Sequence, residues 1–400
     1  AILTIFFTPR FFAESFYNSR DIFFFSIFVF NILAIQNLIT KENKKNIFFF
    51  CFTSALLINS KILGLICFVV FLGIYSFKKF LNSSIKDGLT KILSILIITF
   101  FFIVVLWPYL WFDPFLNFFK AFTDIIKEHN QLKIVTLFLG DYYTSTNTPS
   151  NYRILWFLIT TPVMVIILFI FGLLLIIKNL IDKFSAYTDK GKKLLLETED
   201  FLDFYLLLTF LSIIFLTIAY NISQFNGWRH IYFLYAVVIY MSVYLYSKLL
   251  SIKISLIKIF TNFLVILSLI YQVIWIYNYH PFQNNHFNIL SRHYIENKFD
   301  KDYWGVSNYN SIKYILENDK NDQINISTKS FADLSVSVLK LDQKNRDRLK
   351  IVHNFNKADY IIDNYMKRIG KDYEISEKDF SKFYEIKVNN YKINTVYKKK

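Results

Sequence analysis

Residues 92–110 read ILSILIITFFFIVVLWPYL, a run with no charged side chain that closes on Trp, Pro and Tyr. An apolar run of about 20 residues matches a hydrocarbon layer of about 30 Å, and Trp and Tyr concentrate where that layer meets water. A soluble core of any size does not require such a run. Working outward, similar runs occur at Ile22–Thr40, Ile154–Ile177, Phe204–Tyr220, Ile231–Tyr246 and Phe260–Tyr279. Residues 1–8 read as the end of one more helix. Ile47–Asn59 and Ile62–Phe77 read as two short helices divided near Asn59-Ser60-Lys61, or as one long tilted helix.

Charge decides between these two readings of residues 47–77. Lys and Arg accumulate in the cytoplasmic loops of membrane proteins. With two short helices, the lysine-rich stretches 41–45, 78–91, 178–193 and 248–258 all fall on one side. Arg10, Arg20, Lys61, Lys120, Lys127, Lys133, Arg153 and Arg229 fall on the other. The pair therefore gives consistent alternation and places everything after Tyr279 outside. The 400-residue chain carries a net charge of +15, but its lysines sit in short loops and not on one face of a soluble fold, which argues against nucleic-acid binding. Cys51 and Cys67 lie inside apolar segments with no partner at metal-ligand spacing, so they carry no redox information.

Past Phe282 charged residues become frequent and no run is long enough to span. Ser307–Glu317 predicts an amphipathic helix. Ile324–Ser327, Leu349–Val352, Tyr360–Ile362, Phe383–Val388 and Lys392–Tyr397 predict strands, the last two joined as a hairpin around Asn389-Asn390-Tyr391. The expected fold is thus mainly α: a polytopic transmembrane helical bundle over residues 1–281, with a small extracytoplasmic α/β domain over residues 282–400. Phe115–Asn130 carries apolar residues at helical spacing and is expected to lie along the membrane surface.

The loops assigned to the outside carry the chemistry. Asp21 stands at the mouth of a span, where the positive end of a helix favours a carboxylate; it reads either as a cap or as a ligand for a metal or a phosphate-bearing substrate. Gly227-Trp228-Arg229-His230 precedes another span. Arg229 offers a planar fork that matches phosphate oxygens, and His230 can donate to the same anion or carry a proton. Arg10, behind Pro9, is a further cation for that job, while Arg20 reads as a headgroup contact. Asp141, Tyr142 and Tyr143 are placed to orient a sugar through hydrogen bonds and ring stacking. His280, His286 and His293 have no compact metal-site spacing and read as surface or packing residues. No P-loop, G-x-S-x-G or H-E-x-x-H is present, and no acidic residue sits in mid-span to suggest an ion-coupled transporter.

Taken in order, TPRFFAESFYNSRD (8–21), WPYLWFDP (107–114), DYYTSTNTPSNYRILWFLITTPV (141–163), NGWRHIYFLY (226–235), HPFQNNHFN (280–288) and DYWGVSNYNSIKYIL (302–316) resemble the GT-C glycosyltransferases, in the protein-mannosyltransferase and aminoarabinose-transferase-like branch. The resemblance implies transfer of a sugar from a polyprenyl-phosphate donor to a hydroxyl of a protein, lipid or glycan, at the outer face of the cytoplasmic (inner) membrane. It implies that Asp21 matches a second acidic position, where a divalent metal ion binds in some form of the site. Arg229, His230 and, less closely, Arg10 match cations beside the donor phosphate. The family's principal acidic residue follows its first helix; this chain begins at Ala1, already within an apolar stretch, so that residue is expected upstream and the piece alone is expected to be inactive. A flippase or transporter of a lipid-linked substrate and a non-catalytic membrane assembly protein remain the competing readings.

Overall fold

The computed structural model describes residues 1–131, 134–190, 198–220, 223–367 and 375–400. The lysines at 133, 192 and 193, used above for sidedness, lie outside them. The chain begins with α1 (Ile2–Phe6), α2 (Pro9–Tyr17), α3 (Ser19–Thr40), α4 (Lys44–Ser60), α5 (Leu63–Asn82) and α6 (Ile85–Leu106). A helix α7 (Pro114–Gln131) and a hairpin of β1 (Val135–Phe138) and β2 (Asp141–Thr144) follow. Then come α8 (Tyr152–Thr160), α9 (Val163–Lys190), α10 (Thr198–Ala219), a 3-10 turn at Arg229–Leu234, α11 (Tyr235–Ser251) and α12 (Ser255–Asn278).

Among the described residues, seven helices are long and apolar enough to cross a membrane. They are α3, α5, α6, α9, α10, α12 and the run Arg229–Ser251 that includes α11. Their outward side chains are large and apolar: Phe30, Ile97, Phe101, Phe215 and Phe263 are each more than half exposed. On a soluble protein such a surface would drive association; against lipid it costs nothing. This is a multi-pass membrane protein.

The two short helices predicted from residues 47–77 are two helices. Lys61, between α4 and α5, is extended at φ −156° and ψ 144°. α4 has 17 residues, about 25 Å at about 1.5 Å per residue. It packs between α3 and α6. Asn31 of α3 donates to Thr53 Oγ1 (3.1 Å) and Ser54 Oγ (2.9 Å) of α4, the kind of polar contact that joins helices where burial of apolar surface cannot. Gly172 of α9 lets a second pair close: a Cβ there would stand 2.1 Å from the carbonyl oxygen of Met241 in α11.

Three expectations are corrected. Residues 9–21 are not a loop: Pro9 opens α2 at its first position, where its missing N–H and fixed φ are harmless. The run Ile154–Ile177 is not one helix. Pro162 forces Thr161 out of the helical region, to ψ 141°, and separates α8 from α9. The start of the Ile231–Tyr246 run is 3-10, with Ile231 itself non-helical at φ −114° and ψ 20°.

The C-terminal region holds α13 (Val306–Asn318) and a five-stranded sheet of β3 (Ile324–Thr328), β4 (Leu349–Ile351), β5 (Tyr360–Asp363), β6 (Phe380–Val388) and β7 (Tyr391–Lys399). The strand order is β4-β3-β5-β7-β6, with β3 parallel to β4 and β5, and β7 antiparallel to β5 and β6. Ile312, Ile315 and Leu316 of α13 bury against Ile324, Ile326, Ile362 and Val396 of the sheet. Asn389 and Asn390 turn the predicted hairpin with φ of 49° and 88°, values that Asn tolerates better than most residues.

Residues 282–305 belong with the bundle as much as with the sheet. The break at Pro162 frees the last carbonyls of α8, which need donors. The HPFQNNHFN stretch supplies them. Asn288 Nδ2 donates to Leu158 O (2.6 Å) and Thr161 O (3.0 Å), its backbone N–H donates to Ile159 O (2.8 Å), and His286 Nδ1 lies 3.0 Å from Thr160 O. His286 is buried, as a packing histidine should be, and burial pushes its pKa down to about 4.

Candidate functional site

α2 places Arg10, Glu14 and Asn18 four residues apart, on one face, and that face is buried. Asn18 then caps α3 by accepting from the Asp21 N–H at 3.4 Å. Its amide also donates to Glu14 Oε2 (2.6 Å) and Asp21 Oδ2 (2.8 Å), so one side chain ties two carboxylates together. Asp21 sits in the first turn of α3, where the helix dipole favours its charge.

Cations reach these carboxylates from other helices. Lys61, at the turn between α4 and α5, pairs with Asp21 Oδ1. Arg229, at the start of the 3-10 turn before α11, lies with Nε 3.9 Å from Asp21 Oδ2. Its guanidinium is enclosed by three rings, at 4.8 Å from Phe225, 5.2 Å from Tyr303 and 5.3 Å from Trp304. Arg10 is 5% exposed, donates from Nε to Asn284 O at 2.9 Å and stacks 5.0 Å over Trp156. Its Nη1 has no hydrogen-bond partner among the described residues. Gly227 makes room for it: a Cβ there would stand 2.8 Å from that nitrogen, and the residue is at φ +67° besides.

Glu14 is the residue that reading the sequence missed. It is 1% exposed. Oε1 accepts from Trp304 Nε1 at 3.2 Å and from the Tyr232 hydroxyl at 3.5 Å. Burial raises its pKa; the Trp304 indole, Arg10, Asn18 and Arg229 pull the other way without cancelling the shift. A buried carboxyl with a raised pKa beside two arginines is a common feature of catalytic and ion-binding sites. The signal was the R-x-x-x-E-x-x-x-N spacing behind a proline, legible only once 9–17 is read as helix.

The structure thus brings Asp21, Arg229 and Arg10 to one end of the bundle, with Glu14 and Lys61 added. His230 is the neighbour of Arg229 in the chain and packs edge-on against Phe225 at 4.7 Å. Asp141 and Tyr142 stand elsewhere, on the exposed strand of the β1–β2 hairpin, where Lys367 Nζ lies 4.6 Å over the Tyr142 ring. That hairpin is held by Asp300, which accepts from Thr136 and from the Leu137 N–H (3.0 Å) and whose pKa burial pushes up to about 7. The donor set at Asp21 does not fit a divalent cation. Oδ1 already accepts from Lys61 and Oδ2 from Asn18, and among the described residues no three His, Cys, Asp or Glu side chains cluster closely enough to hold one.

Comparison with protein-family models, with curated proteins and with solved structures found no match to this chain.

Proposed function

We propose that the protein is a membrane glycosyltransferase that moves a sugar from a polyprenyl-phosphate donor to a hydroxyl of a protein, lipid or glycan, with the Asp21 end of the bundle as its working face on the outer side of the cytoplasmic membrane. One observation carries the reading. Two buried carboxylates, the buried Arg10 and the partly buried Arg229 meet in one knot at the mouth of an apolar bundle, beside the ordered loop motifs that suggested the family. A lipid-linked phosphate presents its charge at that depth, with its chain in the hydrocarbon.

The reaction needs few groups. The acceptor oxygen bonds to the anomeric carbon, the bond from that carbon to the phosphate oxygen breaks, and its electrons stay on the phosphate. Arg229, with Lys61 beside it, meets the phosphate charge as it grows. Asp21 holds both cations in place before the donor arrives and gives them up to it. Glu14, or Asp21 once released, takes the acceptor proton.

The test is sugar transfer from polyprenyl-phosphate sugars by membranes carrying the full-length protein. Arg229→Ala should lower transfer at least about 100-fold, the usual scale for losing one preorganised stabilising group, with the protein present at normal level. Wild-type transfer by that variant would remove the assigned role. A second reading, a non-catalytic assembly protein, draws on the carboxylates' being already paired and shielded. It predicts donor binding without turnover in wild-type membranes.

A further inference from the structure

Trp304 arrives at the cluster from outside the bundle, on a short segment that is fixed at both sides. Asp302 is left-handed at φ 42° and caps α13 through the Val306 and Ser307 N–H groups, both at 2.9 Å. Its own N–H donates to Asn285 Oδ1 (2.7 Å), and its carbonyl accepts from Asn364 Nδ2 (3.0 Å), the residue after β5. Gly305, at φ +64°, completes the knuckle. Between these anchors, Tyr303 and Trp304 are presented to the membrane site. Trp304 then makes two contacts of different kind: its indole N–H donates to Glu14, and its ring lies 5.3 Å from the Arg229 guanidinium.

We propose that Trp304 is a positioning residue through which the C-terminal sheet region completes the membrane site, holding Glu14 with its N–H and Arg229 with its ring. The proposal rests on reading this cluster as the donor-phosphate site. The two contacts are separable. Phe at 304 keeps a ring for Arg229 and removes the donor to Glu14; Ala removes both. The charged and titratable groups that face Glu14 are Arg10 and Tyr17 from α2 and Arg229 and Tyr232 from the 3-10 turn; Asn18 links Asp21 of α3 to it, and Asp302 of the knuckle acts on Tyr17. Losing the indole N–H therefore leaves Glu14 as buried as before with one fewer group favouring its charge. Its carboxyl should protonate at higher pH.

Two measurements on the full chain in lipid nanodiscs test this. The first needs no donor. With 15N-indole labelling, the one resonance of six that Trp304→Phe deletes should titrate with pH in wild type and cease to titrate in Glu14→Gln. The second uses the methyl ester of a polyprenyl phosphate, whose single charge does not titrate near neutral pH. Its binding should weaken as Glu14 ionises; Trp304→Phe should move that limb to higher pH and keep low-pH affinity within about threefold. Trp304→Ala, which removes both contacts, should in addition lose about tenfold in low-pH affinity, the scale of one shielded cation–π contact. An indole resonance indifferent to Glu14, or a Phe variant with the wild-type limb, overturns the proposal. If the resonance titrates as stated while wild type does not bind the ester at all, the donor-site reading fails and the Trp304–Glu14 linkage stands.

Discussion

The bundle carries an ionic cluster at each end, and the two are built differently. At one end Glu42, in the α3–α4 turn, pairs with Lys79 of α5 and with Lys91 of α6 at 2.7 Å, and Lys91 also meets Asp87 at 3.4 Å one helical turn away. The cations are lysines, Asp87 is half exposed, and the contacts tie neighbouring helix ends together. At the other end Asp21 and Glu14 are buried, two of the cations are arginines lying on aromatic rings, and the partners come from α2, α3, the α4–α5 turn, the turn before α11 and the segment beyond α12. That clamp holds one buried lysine, Lys79, but Glu42 and Lys91 stay partly exposed, so water shares in solvating its charge. Buried ionic groups with an unfilled guanidinium nitrogen cost stability, and such costs concentrate at working sites.

Substitutions should separate the two ends. Arg229→Ala should abolish binding of a polyprenyl phosphodiester, at least about 100-fold, while Glu42→Ala leaves it unchanged; equal effects would end the distinction. Lys61→Met leaves the buried Asp21 with only the Asn18 amide and the more distant Arg229, and should cost about 3 kcal/mol in reversible unfolding from detergent micelles. Lys79→Met leaves Glu42 with Lys91 at a more exposed edge and should cost about 1 kcal/mol or less. Glycines give a smaller contrast. Gly227→Ala meets both a positive φ and Arg10, and should cost about 1–2 kcal/mol. At the other end, a Cβ at Gly88 meets Lys79 Cβ at 3.4 Å and the Phe80 ring at 3.8 Å, both ordinary contacts, so Gly88→Ala should be neutral or stabilise α6 by up to about 1 kcal/mol.

The smallest effect is the most diagnostic, because the signs oppose. Burial raises the Glu14 pKa, so its folded form holds the proton more tightly than the unfolded chain does. That contribution to stability is full at low pH and is lost as pH rises through the folded value. Burial pushes Glu42 up as well, but Lys79 and Lys91 outweigh it and leave its pKa lowered. Its contribution is present at higher pH and is lost as pH falls. Hydrogen exchange, corrected for intrinsic rates, should therefore show residues 9–21 loosening toward alkaline pH and residues 41–46 toward acid. Parallel behaviour at the two ends would contradict the assignment.

The sequence made one layer of this legible and hid another. Run length and lysine placement located the spans and the α4–α5 division, because bilayer thickness and helix rise fix them locally. Alternation and the Asn-Asn turn located the strands. Pro162 lies inside one apolar run with apolar residues on both sides, so run length alone does not show the break there. Asp21, Arg10 and Arg229 were singled out by residue type at helix mouths. Their assembly was not legible, since Lys61 meets Asp21 across 40 residues and Trp304 meets Glu14 across 290. Lys61 had registered only as a loop charge, and Glu14 not at all, because a nine-residue helix between two turns carries too few repeats to declare its buried face.

The most direct test of the account is where a donor-like lipid docks. A polyprenyl phosphodiester carrying a photoreactive diazirine next to its phosphate, irradiated with the protein in native-like membranes and mapped by peptide mass spectrometry, should label residues 9–21 and 223–234 and should be displaced by unlabelled ester. Labelling at residues 41–46 and 79–91 instead, or labelling spread evenly over the lipid-facing helices, would contradict the claim that the Glu14–Asp21–Arg229 cluster is the donor site.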